Sequence, residues 1–138
     1  MKKEQKQLNK IAKKYDLELI LLFGSQVDKK FLHRESDFDI AYLPKRELEG
    51  KELIDLNCSL MDLFDNDKID MVDLRKADPL LKYEIAERNK LLFGDEMDYL
   101  AFKSYAFKDY VFHRPLFELE DCLIKKRHQL LTKSIYDK

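Results

Sequence analysis

Glycine and proline are scarce in this chain, three of each in 138 residues. That excludes low-complexity linkers and leaves few positions where the backbone can be broken. Tryptophan is absent, and the two cysteines, Cys58 and Cys122, stand far apart with no CxxC spacing. A disulfide would require the fold to bring them together, so the expectation is two buried or half-buried thiols in a cytoplasmic protein. No apolar run approaches the roughly 20 residues of a membrane helix. The opening Met-Lys-Lys-Glu-Gln-Lys lacks the apolar stretch of a secretory signal. Charge of one sign is missing too: 26 Lys and Arg against 27 Asp and Glu leave a net charge of −1, and nothing global argues for a nucleic-acid partner.

What is present is a helix–strand alternation followed by helices, within the size of one domain. Leu8, Ile11, Ala12 and Tyr15 recur at helical spacing and predict an amphipathic helix over 4–15. Residues 17–23, Leu-Glu-Leu-Ile-Leu-Leu-Phe, suit a buried strand that Gly24-Ser25 stops. Residues 26–35 are expected to form a short helix and loop, and a second strand follows over 36–43, closed by Pro44. A helix over about 47–64 carries Leu53, Leu56, Leu60 and Phe64 on one face, Asp65-Asn66-Asp67 signals a turn, and Ile69–Leu74 reads as strand three. Asp78-Pro79 opens a helix to about Asn89, and Leu91–Gly94 adds a short edge strand. Helix is expected from 95 onward with a break at His113-Arg114-Pro115, one stripe marked by Met97, Leu100, Ala101 and Ser104 and another by Leu116, Leu119, Leu123 and Leu130.

The chemistry is concentrated where Leu21-Leu22-Phe23 ends in Gly24-Ser25 and, eleven residues later, Asp37-Phe38-Asp39 begins a new strand. Side chains two apart on a strand share a face. Asp37 and Asp39 therefore project together, and two acids side by side repel unless a cation or proton sits between them. Gly24 permits close backbone approach to a ligand, and Ser25 can open a helix whose free N–H groups suit a phosphate. Two-metal phosphoryl transfer needs a third carboxylate, and strand three offers Asp70 and Asp73, which on a regular strand face opposite sides.

This Gly-Ser…Asp-x-Asp pattern resembles the nucleotidyltransferases of the polymerase-β superfamily, in particular the minimal nucleotidyltransferases that act as antitoxins. The likeness covers about residues 8–94, including Pro79-Leu80-Leu81-Lys82-Tyr83-Glu84-Ile85-Ala86, and leaves a C-terminal helical segment of about 95–138 within one domain. The resemblance implies an α/β (α+β) fold, a small mixed sheet flanked by helices. It also points to Asp70 as the third acid, set between Ile69 and Met71, where an unpaired carboxylate would be costly to bury. Asp37, Asp39 and Asp70 would be the catalytic acids and the ligands of two Mg²⁺ ions, with Gly24 and Ser25 holding the triphosphate of ATP. The family's Ala-Arg-Gly after Gly-Ser-x is replaced by Val27-Asp28-Lys29, and its usual ten-residue spacer is eleven here. Lys29, Lys30 or Arg34 then becomes the source of positive charge near the triphosphate. The implied partner is a HEPN-domain toxin, a ribonuclease silenced by transfer of AMP to a tyrosine, in a hetero-oligomer.

Rival readings are fewer. An EF-hand over Asp65-Asn66-Asp67 would need a ligand and a glycine where Ile69 and Asp70 stand. His33, His113 and His128 show no ligand spacing, and Lys125-Lys126-Arg127-His128 reads as a solvated helix face. Tyr99, Phe102, Tyr105, Phe107, Tyr110 and Phe112 outnumber what one core stripe absorbs, so part of the segment after Gly94 is expected at a protein interface. Transfer to a small molecule, as in the aminoglycoside-modifying relatives, has little chain left for an acceptor pocket. Neutralisation of a partner by binding alone leaves the three acids without a purpose.

Overall fold

The computed structural model describes residues 2–24 and 38–136. The expected helix and loop over 26–35 lies outside them. Among the described residues, four helices and four strands follow one another: α1 Lys2–Lys14, β1 Leu17–Phe23, β2 Phe38–Pro44, α2 Gly50–Phe64, β3 Ile69–Asp73, α3 Pro79–Glu87, β4 Asn89–Phe93 and α4 Glu96–Tyr136. The strands form one sheet in the order β3-β2-β1-β4. β1 is antiparallel to both β2 and β4, while β2 and β3 are parallel, so the sheet is mixed as expected.

Both faces of the sheet are covered, which is why its central strands read as nearly unbroken apolar runs. Ile20, Leu22, Phe38, Ile40, Tyr42 and Ile69 pack under α1 and α2, with Leu8, Ala12, Tyr15, Leu56 and Leu60. Leu19, Leu21 and Ala41 face the other way, against Ile85, Ala86, Phe102 and Ala106 of α3 and α4. Alternation along one strand thus serves two cores. The turns between elements follow local chemistry. Asp78 accepts a hydrogen bond from the Leu81 N–H at 2.8 Å and caps α3, with Pro79 at its first position. Glu49 and Glu52 make a reciprocal capping box at the start of α2, and this explains why the helix begins three residues later than its apolar pattern suggests. Asp65 ends α2 in the left-handed region at φ 50°, and the buried Asn66 folds back to accept from the Lys68 N–H at 2.8 Å.

Three expectations are corrected. α4 does not break at Pro115 but runs unbroken for 41 residues. A helical proline removes the hydrogen bond to the carbonyl four residues back; here that carbonyl belongs to Val111, itself 49% exposed, so water can take the donor's place. The buried face of α4 is Phe102 and Ala106 with Tyr99 beside them, not the Met97–Leu100–Ala101–Ser104 stripe, which is exposed. Helical periodicity identifies a stripe but not which neighbour covers it. Cys58 and Cys122 are likewise exposed rather than buried, each on the solvent side of its helix.

Tyr42 is 4% exposed, and its phenol is pushed up to about 12 by burial, with the Asp73 carboxylate on β3 adding to the effect. The folded state therefore holds the phenolic proton more tightly than an unfolded chain with the ordinary value of 10.0. Tyr42's contribution to stability is complete below pH 10 and is lost as pH rises from there to about 12. Tyr42→Phe should flatten that alkaline fall, as read from urea midpoints measured on either side of pH 10; an unchanged slope would place the titration elsewhere.

Candidate active site

The parallel pairing of β2 and β3 sets Phe38 against Ile69, Asp39 against Asp70, and Tyr42 against Asp73. Two acids from different strands thus stand side by side at one register position, and neighbouring strands lie about 4.8 Å apart. Both carboxylates project on the side of the sheet that carries Ala41 and Val72, the side of α3 and α4. Asp73 falls on the opposite side, beside Tyr42, where its carboxylate accepts from the Arg75 N–H at 2.8 Å. The opposed orientation of Asp70 and Asp73 expected from their spacing is what the sheet displays. The expected reason for Asp70 is corrected, however: its side chain is exposed, so no burial cost constrains it.

Gly24 closes this corner. It follows Phe23, whose partner across the antiparallel ladder is Asp39, and its φ is +86°, in the region that side chains disfavour. A Cβ built there would land on Oδ2 of Asp39. The glycine is therefore needed twice over, for its backbone angle and for the room it leaves the Asp39 carboxylate. Sequence reasoning saw only the approach of a ligand. Ser25, Lys29, Lys30 and Asp37 lie outside the described residues. Among the described residues no three His, Cys, Asp or Glu side chains meet as a metal cluster, and the pair Asp39–Asp70 is the part of the expected triad that can be placed. As a donor set the pair fits magnesium: carboxylate oxygens alone, on a half-open edge where waters can complete the coordination.

A second feature on the same sheet face escaped the sequence. Lys82 of α3 is 7% exposed, its Nζ lying 3.1 Å from Oδ2 of Asp109 and 5.0 Å from the Tyr105 ring centre. Its burial was legible in principle, since Lys82, Ile85 and Ala86 share the i, i+3, i+4 face of α3. Lys82, Tyr105, Phe102, Leu43, Leu74 and Arg75 line a cleft of about 380 Å³. Leu43 lies four residues along β2 from Asp39, about 13 Å on a strand, so the cleft sits beyond direct reach of the acid pair.

Comparison with known proteins bears on this corner directly. A family model described as "Polymerase beta, Nucleotidyltransferase" matches residues 6–98, taking in β1, Gly24, β2 and β3. The chain belongs to the polymerase-β nucleotidyltransferase family. Within that family it is similar to the protein adenylyltransferase MntA of Shewanella oneidensis, 38% identical over 82 residues, which is 59% of this chain and 58% of the relative. The match thus spans somewhat over half the length of that curated relative. A toxin–antitoxin crystal structure with AMP-PNP contains a similar chain, with a TM-score of 0.70, 28% identity, and 87% of this chain and 98% of that one covered. A structure of tri-AMPylated S. oneidensis HEPN toxin in complex with MNT antitoxin gives a TM-score of 0.67 at 25% identity, covering 89% of this chain and 98% of the other. The nucleotidyltransferase assignment rests on the segment containing the acid pair, and α4 beyond residue 98 lies outside the family match.

Gly24→Ala should destabilise the protein by about 1–3 kcal/mol, whereas Gly50→Ala, where an added Cβ meets nothing, should shift it far less. Combined with Asp39→Ala, part of the Gly24→Ala loss should be recovered, because the carboxylate it strikes is gone. Denaturant midpoints of the four-variant cycle measure this; strict additivity would remove the contact between the two residues.

Proposed function

We propose that this chain is a Mg²⁺-dependent protein adenylyltransferase that moves AMP from ATP to a tyrosine of a HEPN-domain toxin, and so acts as its antitoxin. The observation that supports this best is the register partnership of Asp39 with Asp70, with Gly24 against Asp39, inside a segment of polymerase-β nucleotidyltransferase sequence. The similarity to an adenylyltransferase and to chains from toxin–antitoxin complexes supplies the substrate and partner. In this reading Asp39 and Asp70, with Asp37 two residues before Asp39, hold the metal, and Gly24, Ser25, Lys29 and Lys30 hold the triphosphate. When bound, Mg²⁺ lowers the acceptor hydroxyl's pKa and neutralises charge on the departing pyrophosphate.

The residues' task is positional. The tyrosine oxygen attacks the α-phosphorus, a new P–O bond forms to the toxin, the bond to pyrophosphate breaks, and the hydroxyl proton leaves to solvent. Asp39, fixed by its strand and by the space at Gly24, orients from one side. Asp70 orients from the neighbouring strand, on the exposed edge where an acceptor from another protein can approach. Proximity of this kind contributes a large share of a transfer barrier because the reacting groups no longer have to find one another.

Asp70→Ala should abolish toxin adenylylation, a drop of about a hundredfold or more, while keeping much of the ATP binding that Asp37 and Asp39 support. Asp73→Ala, altered on the opposite sheet face, should retain appreciable transfer. Intact-mass spectrometry of a HEPN-domain toxin incubated with ATP, Mg²⁺ and each variant reads the outcome as added AMP. Transfer surviving in Asp70→Ala but lost in Asp73→Ala would overturn the assignment. An unmodified toxin that is nevertheless inhibited would replace transfer with binding alone.

A further inference from the structure

Among the described residues, the part of α4 beyond Phe117 packs against no other element of the chain. Every described residue from Glu118 to Lys133 is exposed, yet the surface is not uniformly polar. Leu116 is 53% exposed, Leu119 54%, Leu123 55%, Ile124 66%, Leu130 69% and Leu131 56%. At about 100° per residue these six fall within an arc of about 140° on one side of the helix. The ion pairs of this half, Arg114–Glu118 and Lys125–Asp121, lie on the opposite side. Only two other residues of Leu116–Lys133 fall inside the apolar arc, and both are charged: Glu120 and Arg127.

Those two charges identify what covers the arc. Seven residues apart, they are separated by about 10 Å along the axis, too far to pair with each other. Among the described residues neither forms an ion pair. Covering an apolar face with an unpaired carboxylate and an unpaired guanidinium in its middle would be costly unless the covering surface carried the opposite charge at each position. We infer that the covering surface is a second copy of this chain, its α4 lying antiparallel to the first about a two-fold axis between Leu123 and Ile124.

In that arrangement Glu120 of each copy faces Arg127 of the other, and the reciprocal pair forms on the far side of the axis. Leu123 of each copy meets Ile124 of the other, and Leu116 meets Leu131. Four of the six apolar residues, Leu116, Leu123, Ile124 and Leu131, form mirror pairs about the axis, whereas the charge pattern reverses sign across it. A parallel in-register pairing would set Glu120 on Glu120 and Arg127 on Arg127, so the charges select the antiparallel direction. The paired region, Leu116 to Leu131, is about 22 Å long, and the catalytic sheets lie outward at its two ends. The contact is independent of the transfer reading, because no residue of the acid corner takes part.

Sedimentation equilibrium of the full chain over a concentration series should give a concentration-dependent mass approaching twice 16.6 kDa. Glu120→Arg and Arg127→Glu should each weaken dimerisation about tenfold or more with circular dichroism unchanged, since both sites are exposed. The double exchange E120R/R127E should restore the dimer, and mixing the two single variants should yield a heterodimer. A wild-type chain that stays monomeric throughout overturns the inference, as do single exchanges that leave the dimer intact. A monomer whose arc becomes protected from hydrogen exchange only when a HEPN toxin is added would overturn it too, by assigning the face to that protein. Adenylylation is not the readout in any arm, so failure here leaves the transfer proposal standing.

Discussion

Two carboxylates held side by side on adjacent strands repel, and the sheet must hold them against that repulsion. It does so through the parallel pairing of β2 with β3, flanked on one side by an antiparallel ladder and on both faces by helices. A slip of one residue in either strand would carry an acid to the α1–α2 core and an apolar side chain to the open corner. Phe38, Ile40 and Tyr42, paired with Ile69, Met71 and Asp73, fix that register from the opposite face. The core under α1 and α2 therefore determines where Asp39 and Asp70 stand, although none of its side chains touches them through the sheet.

Much of this was legible in the sequence, for definable reasons. β1 and β2 are central and covered on both sides, so Leu19–Leu22 and Ile40–Tyr42 announce themselves as apolar runs. The opposite faces of Asp70 and Asp73 follow from a two-residue period that no packing can alter. The second role of Gly24 was hidden because it depends on a carboxylate fifteen residues later being folded against it. The continuity of α4 was misread because the rule against helical proline weighs most where the freed carbonyl is buried, and Val111 is half exposed. Periodicity also gave the right helix and the wrong buried stripe, since it is silent about neighbours.

Lys82 shows the same limit from another direction. Its spacing with Ile85 and Ala86 sets it on the buried face of α3, but the counter-charge that lets it stay there comes from distant sequence. Asp109 provides it at 3.1 Å, and His113 lies on the other carboxylate oxygen at 3.3 Å. Removing Asp109 would leave an ammonium with little water to replace it, whereas replacing both partners with apolar residues need not destabilise at all. The pair therefore specifies how α4 lies on α3 more than it strengthens the contact. The Tyr83–Tyr110 stack, with ring centres 4.1 Å apart, adjoins the pair on the same α3–α4 seam.

Asn89, at the junction of α3 and β4, has a mechanical consequence. Its amide nitrogen donates to the carbonyls of Ile85 and Ala86 at 2.7 and 3.1 Å, and its oxygen accepts from the Tyr99 hydroxyl at 2.5 Å. One small side chain thus ties the end of one helix to the root of the next. From Tyr110 to the end of α4 the helix projects about 39 Å, and among the described residues it is held at its base. At that length a change of about ten degrees at the root moves the tip by about 7 Å. The aim of the arm is therefore set where α4 is seated, by the Asn89–Tyr99 bond, the buried Phe102 and Ala106, and the Lys82–Asp109 pair.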